Sequence, residues 1–207
     1  MIRTIATEEI TKNIREMCIE ANHYLSKDME QALKNAVDIE QADLGKKILC
    51  QLQENLTIAR EDMIPICQDT GMAVIFIEVG QDVHFEGMLL EDAINEGVRQ
   101  GYLDGFLRKS VVGDPIVREN TKDNTPAVIH YSIVKGDQVK LILAPKGFGS
   151  ENMSRVFMLK PADGIEGVKE AILNAVKDAG PNACPPMVVG VGVGGTFEKC
   201  ALLAKQA

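Results

Sequence analysis

The sequence predicts a mixed α/β protein in which an N-terminal helical region packs on a mixed β-sheet that carries further helices. Two observations lead to this fold class. Apolar residues recur at spacings of three and four over residues 1–60, which is typical of amphipathic helices. Beyond residue 60, short β-branched runs alternate with helical stripes, which indicates strands and helices around a shared core. The length of 207 residues suits one or at most two domains, and we expect a single domain over 1–207, helical over 1–60 and mixed over 61–207.

Two apolar stripes predict helices in the N-terminal portion. The first stripe follows Thr7 and two glutamates, a common composition for a helix N-terminus, and the second lies within 44–59. Cys18 lies on the first stripe and Cys50 adjoins the second, so we interpret both as packing residues, the usual role of a free cysteine. The stripes comprise Ile10, Ile14, Met17, Cys18, Ala21 and Leu25, and then Leu44, Ile48, Leu49, Leu52, Leu56 and Ala59.

The middle of the chain predicts three strands and one helix. The first strand is an apolar, β-branched run closed by Gly80, which is typical of a buried strand. The second and third strands flank Lys135-Gly136-Asp137-Gln138, whose composition predicts the turn of a β-hairpin. The predicted strands span 73–79, 127–134 and 139–144, and the predicted helix spans 90–102.

The segment 163–181 carries the strongest helix signal. Asp163 and Glu166 have the spacing of a capping box, and Gly180-Pro181 is a typical helix stop. The stripe between them comprises Val168, Ala171, Ile172, Ala175, Val176 and Ala179.

The C-terminal segment predicts a buried strand over 187–193 and a helix from Phe197 to the end. That helix is still amphipathic at Ala207, so we expect the remaining structure to come from missing sequence or from another polypeptide. The glycines at 190–195 satisfy the G-x-G-x-x-G spacing of a dinucleotide site, but the signal is weak, because the acidic residue required about 20 positions later would fall beyond residue 207. Close strand-to-helix packing and a small-anion site are therefore the competing interpretations.

The composition argues against several function classes. There are 22 basic side chains against 30 acidic ones, a net charge of −8, and no Lys/Arg-rich run, so we expect no nucleic-acid partner. No apolar stretch reaches the roughly 18 residues that span a bilayer, and the N-terminus lacks a secretory apolar core, so we expect a cytoplasmic protein with no membrane partner. The five cysteines are odd in number and irregularly spaced, which favours reduced thiols.

Three loops combine special backbone residues with reactive side chains, and such loops are where rigid scaffolds usually carry sites. Loop 65–71 places a thiol, an amide, a carboxylate and a hydroxyl side by side, although a plain turn with a half-buried cysteine is the alternative. Loop 144–152 contains Lys146 and glycines that can cradle a carboxylate or phosphate. In loop 183–186, two prolines are expected to hold the backbone at Cys184 extended, which suits a metal ligand or the start of a strand.

Six blocks of sequence occur in a fixed order along the chain. They are Cys67-Gln68-Asp69-Thr70-Gly71, Leu107-Arg108-Lys109-Ser110, Asp123-Asn124-Thr125-Pro126-Ala127, Lys146-Gly147-x-Gly149-Ser150-Glu151-Asn152, Cys184-Pro185-Pro186 and Gly194-Gly195-Thr196. With these blocks the chain resembles the iron–sulfur class I fumarases and tartrate dehydratases. The match covers nearly the whole chain and is similar to the α subunit, or N-terminal domain, of the two-subunit form.

The resemblance implies a hydro-lyase that adds or removes water at a four-carbon dicarboxylate, either fumarate/malate or tartrate/oxaloacetate. It implies a [4Fe–4S] cluster held by three cysteines, in which the iron without a protein ligand acts as a Lewis acid. A β subunit and an oligomeric enzyme are the implied partners.

The resemblance assigns Cys67 and Cys184 to the cluster and places the third cluster cysteine beyond residue 207. Cys200 occupies a helix position that the motif does not assign to a ligand. Phe148 stands where the family commonly has glycine, so the loop is expected to be narrower or the ring to point outward.

Substrate contacts are also implied by the resemblance. Gln68 and Asp69 match substrate-contacting residues, and Asp69 is the candidate catalytic residue for proton transfer. Arg108 matches a carboxylate-binding arginine, whose planar fork suits two parallel hydrogen bonds. The positions that match the substrate-lining loop are Lys146, Gly147 and Gly149.

We interpret the chain as a catalytic subunit that is inactive alone and lacks a stable cluster in isolation. The alternative is a nucleotide- or anion-binding module that uses the turn Gly190–Gly195. A third hypothesis is an assembly module whose C-terminal helix completes a fold with missing sequence or a twin chain.

Overall fold

The computed structural model describes residues 2–207 and divides into two compact units, the first ending at Lys146 and the second spanning Gly147–Ala207. The predicted α/β class is confirmed, because helices accompany a three-stranded mixed sheet and a parallel strand pair. The first unit contains β1 (Arg3–Ala6), α1 (Thr7–His23), α2 (Lys27–Ile39), α3 (Asp43–Asp62), β2 (Met72–Gly80), β3 (Val83–Glu86), α4 (Leu90–Asp104), β4 (Val128–Val134) and β5 (Val139–Lys146). The second contains α5 (Phe148–Glu151), a 3₁₀ turn (Pro161–Asp163), α6 (Gly164–Ala179), a second 3₁₀ turn (Gly180–Ala183) and α7 (Phe197–Gln206).

The core of the first unit is built from β2, α1 and α4. Residues 73–77 of β2 are all buried, which explains why this strand is a continuous apolar run instead of an alternating one. Helix α1 lies close to α4 because α4 presents Gly97 and Gly101 to it. A methyl group at Gly97 would lie 2.6 Å from the Thr11 carbonyl oxygen, and one at Gly101 would lie 2.6 Å from the Cys18 Cβ.

The strand order β4-β2-β5 shows that the predicted hairpin is wrong. β4 is parallel to β2 and β5 is antiparallel to it, so β4 and β5 lie on opposite sides of β2. The connection over 135–138 crosses the end of β2, where the Gly136 carbonyl accepts the Asp82 N–H at 3.0 Å and the Gln138 carbonyl accepts the Gly80 N–H at 2.8 Å. A local turn signal predicts that the chain reverses, but it does not say whether a third strand lies between the two arms.

The parallel strand pair β1–β3 was not predicted, and β1 is a strand within the portion 1–60 that was expected to be helical. Helix α2 lies within that helical portion, although no apolar stripe had marked it. Helices α1 and α3 confirm the two predicted helices, although Leu25 lies beyond the end of α1. Cys18 is confirmed as a core residue. The packing interpretation of Cys50 is wrong, because α3 buries its neighbour Leu49 and turns Cys50 to solvent.

Helix α6 confirms the strongest predicted helix, and Gly180 ends it with a φ of 46° that favours glycine. The predicted capping box is wrong. The Asp163 carboxylate instead accepts the backbone N–H of Lys160 at 2.7 Å, within the 3₁₀ turn that precedes the helix. Glu166 pairs with Lys169 at 2.8 Å. The Asp163 carboxylate is therefore bonded within the 3₁₀ turn and does not cap α6.

Residues 187–193 form no strand, so the predicted buried strand is wrong. Gly190 and Gly192 pack against α7, because a Cβ at these positions would collide with the carbonyl oxygens of Ala204 and Cys200. This contact supports the close-packing interpretation of the glycines. An apolar run becomes a strand only where a neighbouring strand supplies hydrogen bonds, and in residues 147–207 no such neighbour is present. The exposed apolar residues of the segment are Val188, Val189, Val191 and Val193.

The predicted C-terminal helix from Phe197 is confirmed as α7. Of the helices described, none combines the length and the apolar character that crossing a membrane requires.

Candidate active site

The first candidate residues lie on the loop between α3 and β2. Ile66 fixes the start of this loop, because its N–H donates to the Asn22 carbonyl at 2.9 Å and its carbonyl accepts the Asn55 side-chain amide at 2.8 Å. Cys67 and Gln68, which follow, are exposed. The backbone is therefore anchored while these two side chains remain accessible.

Hydrogen bonds within the loop orient the thiol and the carboxylate. The Asp69 N–H donates to Cys67 Sγ at 3.4 Å, and the thiol donates to Gln68 Oε1 at 3.4 Å. The Asp69 Oδ1 accepts the Gly71 N–H at 3.1 Å, and Gly71 supplies the φ of 65° that this turn requires. These hydrogen bonds fix where the sulfur, the candidate metal ligand, lies relative to the carboxylate.

Thr70 connects this loop to the segment that carries Arg108. The Thr70 hydroxyl donates to the Arg108 carbonyl at 3.2 Å and accepts the Arg108 N–H at 2.9 Å. The Tyr102 hydroxyl donates to the carbonyls of Thr70 at 2.9 Å and of Gly71 at 3.1 Å. Burial raises the pKa of Tyr102 well above its ordinary value, and nearby negative charge adds to the rise, so this hydroxyl stays a neutral donor.

Asn124 brings a third segment to the same place and is fully buried, with 0% of its surface exposed. Its Oδ1 accepts the N–H groups of Ser110 at 2.7 Å and Val111 at 3.1 Å, and its Nδ2 donates to the Gly71 carbonyl at 3.1 Å. Its φ of 62° lies in the left-handed region, which asparagine tolerates better than most residues. One side chain therefore joins three segments that are distant in sequence.

An open cleft of about 380 Å³ lies beside the loop. The structure brings Cys67, Gln68 and Arg108 together at this cleft, and Asp69 lies half-buried in the same loop. A guanidinium and an amide at one opening can bind a carboxylate through several parallel hydrogen bonds. The residues that line the cleft are Pro65, Cys67, Gln68, Thr70, Phe106 and Arg108.

Lys146 lies at the same end of the sheet. It pairs with Met72, which directly follows Gly71, so the end of β5 is adjacent to the start of β2. β4 also starts at this end, since Val128 pairs with Val74. The loops that precede β2 and β4 and the residue that ends β5 therefore converge because these strands share one sheet.

The other candidate residues, Gly147, Gly149 and Cys184, belong to the second unit. The predicted glycine-rich turn is a short helix, α5, in which Phe148 is half-buried. Cys184 is not extended as expected, because its φ of 56° and ψ of 65° place it in the left-handed region at the end of a 3₁₀ turn. A Cβ at Gly149 would lie 3.4 Å from Cys184 Sγ, so the glycine leaves room beside the sulfur.

Two exposed thiols fit the donor chemistry of an iron–sulfur cluster, Cys67 in the first unit and Cys184 in the second. Within residues 2–207, no three or more His, Cys, Asp or Glu side chains are grouped so as to hold a metal ion. Cys200 donates its thiol to the Phe197 carbonyl at 3.2 Å within α7. Burial raises the pKa of Cys18 to about 12, so this thiol is a poor ligand.

The roles of Thr70, Tyr102 and Asn124 are not evident from the sequence. The motif blocks contain Thr70 and Asn124 without giving them a function, and Tyr102 is the last residue of a predicted helix. Their partners are backbone groups up to 53 residues away in sequence, which spacing patterns do not reveal. One feature of the sequence could have indicated such a role for Thr70 and Asn124. Both are polar residues within motif blocks but are not themselves reactive, and buried polar side chains of this kind often form hydrogen bonds with backbone groups.

This chain is similar to fumarate hydratase and tartrate dehydratase proteins. A family model described as fumarate hydratase (Fumerase) matches residues 11–207. A protein of Methanocaldococcus jannaschii, provisionally named an L(+)-tartrate dehydratase subunit alpha, is 39% identical over 205 residues, which cover 96% of this chain and 72% of the relative. The L(+)-tartrate dehydratase alpha subunits of Escherichia coli O157:H7 and Shigella sonnei are each 27% identical over 205 residues, which cover 98% of this chain and 67% of the relative. All the candidate site residues lie within the range that the family model matches.

Proposed function

This chain belongs to the fumarate hydratase (Fumerase) family, and from that premise we propose that it is the α subunit of a hydro-lyase acting on a four-carbon dicarboxylate at a [4Fe–4S] cluster. The reaction adds or removes water between fumarate and malate or between tartrate and oxaloacetate. Tartrate is the first substrate to test, because the relatives described above carry tartrate dehydratase names.

The proposal depends most on the cleft at which Cys67, Gln68 and Arg108 meet. A dicarboxylate needs a fixed cation on a chain whose net charge is −8. Arg108 suits this role because both its N–H and its carbonyl are bonded to the Thr70 hydroxyl, which is only 3% exposed. The backbone that carries the guanidinium is thereby held before substrate arrives.

Cys67 and Cys184 are the residues that would hold the cluster, with the third cysteine supplied from outside residues 2–207. When bound, the cluster supplies a Lewis-acidic iron that polarises the substrate hydroxyl and carboxylate. The Asp69 N–H, which donates to the Cys67 sulfur at 3.4 Å, orients that sulfur within the anchored loop.

The remaining residues bind substrate and move a proton. The Arg108 fork binds one carboxylate, and the Gln68 amide hydrogen-bonds the same molecule. Asp69 takes or returns the proton of the substrate C–H, with its Oδ1 oriented by the Gly71 N–H. The family resemblance assigns Lys146, Gly147 and Gly149 to the substrate-lining loop.

A β subunit completes the site, and the assembled enzyme is an oligomer. The names of the relatives, which specify alpha subunits, support this part of the proposal. The isolated chain is therefore expected to show no hydratase activity, which an assay of the purified chain with fumarate, malate and tartrate would test.

The central test is Arg108→Lys in the α–β complex, reconstituted anaerobically with iron and sulfide. Lysine keeps the charge but loses the planar fork, so we expect kcat/KM for the preferred acid to fall about 10- to 100-fold, the cost of a charge-assisted hydrogen bond. The matched control is Arg118→Lys, because Arg118 is exposed and does not line the cleft.

Equal effects of the two substitutions would contradict the role of Arg108, and a wild-type complex that turns over none of the acids would contradict the proposed reaction. Calorimetric titration with NAD separates this proposal from a nucleotide-binding module. We expect no NAD binding, because Gly190 and Gly192 are used in packing against α7.

A further inference from the structure

We propose that Asn124 is a positioning residue that holds the Asp69 loop and the Arg108 segment in the arrangement that binds the dicarboxylate. This inference rests on the proposed function and adds to it a residue to which the family resemblance gives no role. Asn124 does not line the cleft, so it acts through the residues that it holds.

The hydrogen bonds of Asn124 reach both halves of the cleft. Gly71, whose carbonyl accepts Nδ2 at 3.1 Å, lies two residues after Asp69. Ser110, whose N–H donates to Oδ1 at 2.7 Å, lies two residues after Arg108. One buried amide therefore bridges the acidic loop and the guanidinium segment, and it adds a second connection to the direct hydrogen bonds between Thr70 and Arg108.

Asn124 can act as such a spacer because its own segment is fixed on α4. On one side, Asp123 forms an ion pair with Arg99 at 3.0 Å. On the other side, the Ala127 N–H donates to the Asn95 side-chain oxygen at 2.9 Å. Both Arg99 and Asn95 belong to α4, so the helix holds the segment before and after Asn124.

The amide is the chemical group that this position needs. Its oxygen serves two N–H donors while its nitrogen serves a carbonyl acceptor, and no charged side chain of the same shape does both. An aspartate keeps the shape and the acceptor, but its second oxygen would face the Gly71 carbonyl with no proton to donate. The hydrogen bond to the Gly71 carbonyl would be lost, while those from the Ser110 and Val111 N–H groups would remain.

The test compares Asn124→Asp with Asn95→Asp in the reconstituted α–β complex. Asn95→Asp is the matched control, because Asn95 holds the same segment through Ala127 and contacts neither the Asp69 loop nor the Arg108 segment. We expect Asn124→Asp to raise KM for the dicarboxylate about tenfold or more, as for one lost buried hydrogen bond, with a smaller change in kcat. Asn95→Asp is expected to leave KM within about twofold of wild type, because aspartate keeps the oxygen that accepts the Ala127 N–H.

Hydrogen–deuterium exchange gives a readout that is independent of turnover. In Asn124→Asp, the amides of Asp69 and Gly71 should exchange faster than in wild type, whereas Asn95→Asp should leave them unchanged. Unchanged exchange of these amides, or a lower melting temperature with wild-type KM, would overturn the positioning role.

Two further measurements keep the inference testable if Asn124→Asp does not fold. Asn124→Gly keeps the left-handed backbone and removes the whole amide, so it should raise KM at least as much. If neither variant folds, hydrogen–deuterium exchange of the wild-type complex tests the inference instead. The Ser110 and Val111 amides should become more protected from exchange when tartrate binds. Unchanged protection of these amides would overturn the inference. A wild-type complex without turnover refutes the proposed reaction, whereas an active complex in which Asn124→Asp has wild-type KM refutes only this inference.

Discussion

At the scale of single residues, the surroundings of each cysteine determine its reactivity. Cys18 has 0% exposure inside the α1–α4 core, and burial raises its pKa to about 12. Cys67 is exposed and its sulfur accepts a backbone N–H. The same functional group is therefore inert at one position and available at another, and burial decides which.

The pKa of Cys18 predicts how stability depends on alkaline pH. The unfolded thiol releases its proton near pH 9.0 and the folded one near pH 12, so the folded state holds the extra proton between these values. The contribution to the free energy of unfolding is complete below pH 9 and is lost as the pH rises, with a slope of up to about 1.4 kcal/mol per pH unit. We expect urea denaturation of Cys18→Ala to show a shallower fall between pH 9 and 11 than the wild type.

The matched control for this prediction is Cys50→Ala, since Cys50 is exposed on α3. It should keep the wild-type dependence on pH under reducing conditions. Parallel pH curves for the wild type and Cys18→Ala would contradict the assigned cause.

At the scale of elements, the pair α1–α4 owes its close packing to two glycines one turn apart on α4. Gly97 lies against the Thr11 carbonyl and the Ile14 Cβ, and Gly101 lies against Cys18. The pair covers the face of β2 that contributes Ile75 and Ile77 to the core. A change in helix spacing would therefore reach the sheet whose end carries the site.

Gly97→Ala is expected to lower the free energy of unfolding by about 1–3 kcal/mol, the usual cost of overpacking. This loss should appear although alanine has the better helix propensity by about 1 kcal/mol. The added methyl would lie 2.6 Å from the Thr11 carbonyl oxygen. That oxygen belongs to the backbone of α1, so the clash can be relieved only if the helix itself shifts. Urea denaturation of the two proteins measures the difference.

Gly45→Ala in α3 is the control, because the three atoms nearest to the added methyl belong to the Glu40 side chain and not to backbone. The gain in helix propensity of about 1 kcal/mol offsets the shift of that carboxylate, which accepts the Ala42 N–H, so the loss of stability should be smaller than for Gly97→Ala. If Gly97→Ala were equally well tolerated, close helix packing would not be what requires the glycine.

At the scale of the molecule, burial is distributed unevenly between the two units. In the first unit, a core cluster joins the sheet to α1 and α4. In the second unit, the buried apolar residues are Ala179 and Ala183, and the stripe of α6 is otherwise only half-buried. Fewer buried apolar contacts give a lower free energy of local opening.

Hydrogen–deuterium exchange of the isolated chain should therefore differ between α4 and α6, which have similar lengths of 15 and 16 residues. We expect the amides of α6 to exchange about tenfold or more faster than those of α4, which is a difference in opening free energy of about 1.4 kcal/mol or more. Equal protection of the two helices would show that the second unit has stability that its burial does not explain.

Periodicity and composition determined most of the elements. Helices α1, α3, α4, α6 and α7 and strands β2, β4 and β5 follow from local patterns, because the spacing of apolar and β-branched residues within each segment indicates its conformation. The motif blocks determined the family, and they placed Cys67, Asp69 and Arg108 among the candidates before any contact was known. The roles of these residues stay predictions.

Only the tertiary structure decided the order β4-β2-β5, the unpaired state of residues 187–193 and the ties made by Thr70 and Asn124. Each of these depends on which distant segment supplies the partner of a hydrogen bond. The pattern of residues within one segment determines the conformation and the apolar face of that segment, but it does not identify the distant segment that supplies the hydrogen-bond partner. The convergence of the Asp69 loop with Arg108 is therefore a property of the folded sheet, whose strand ends bring these segments to one edge.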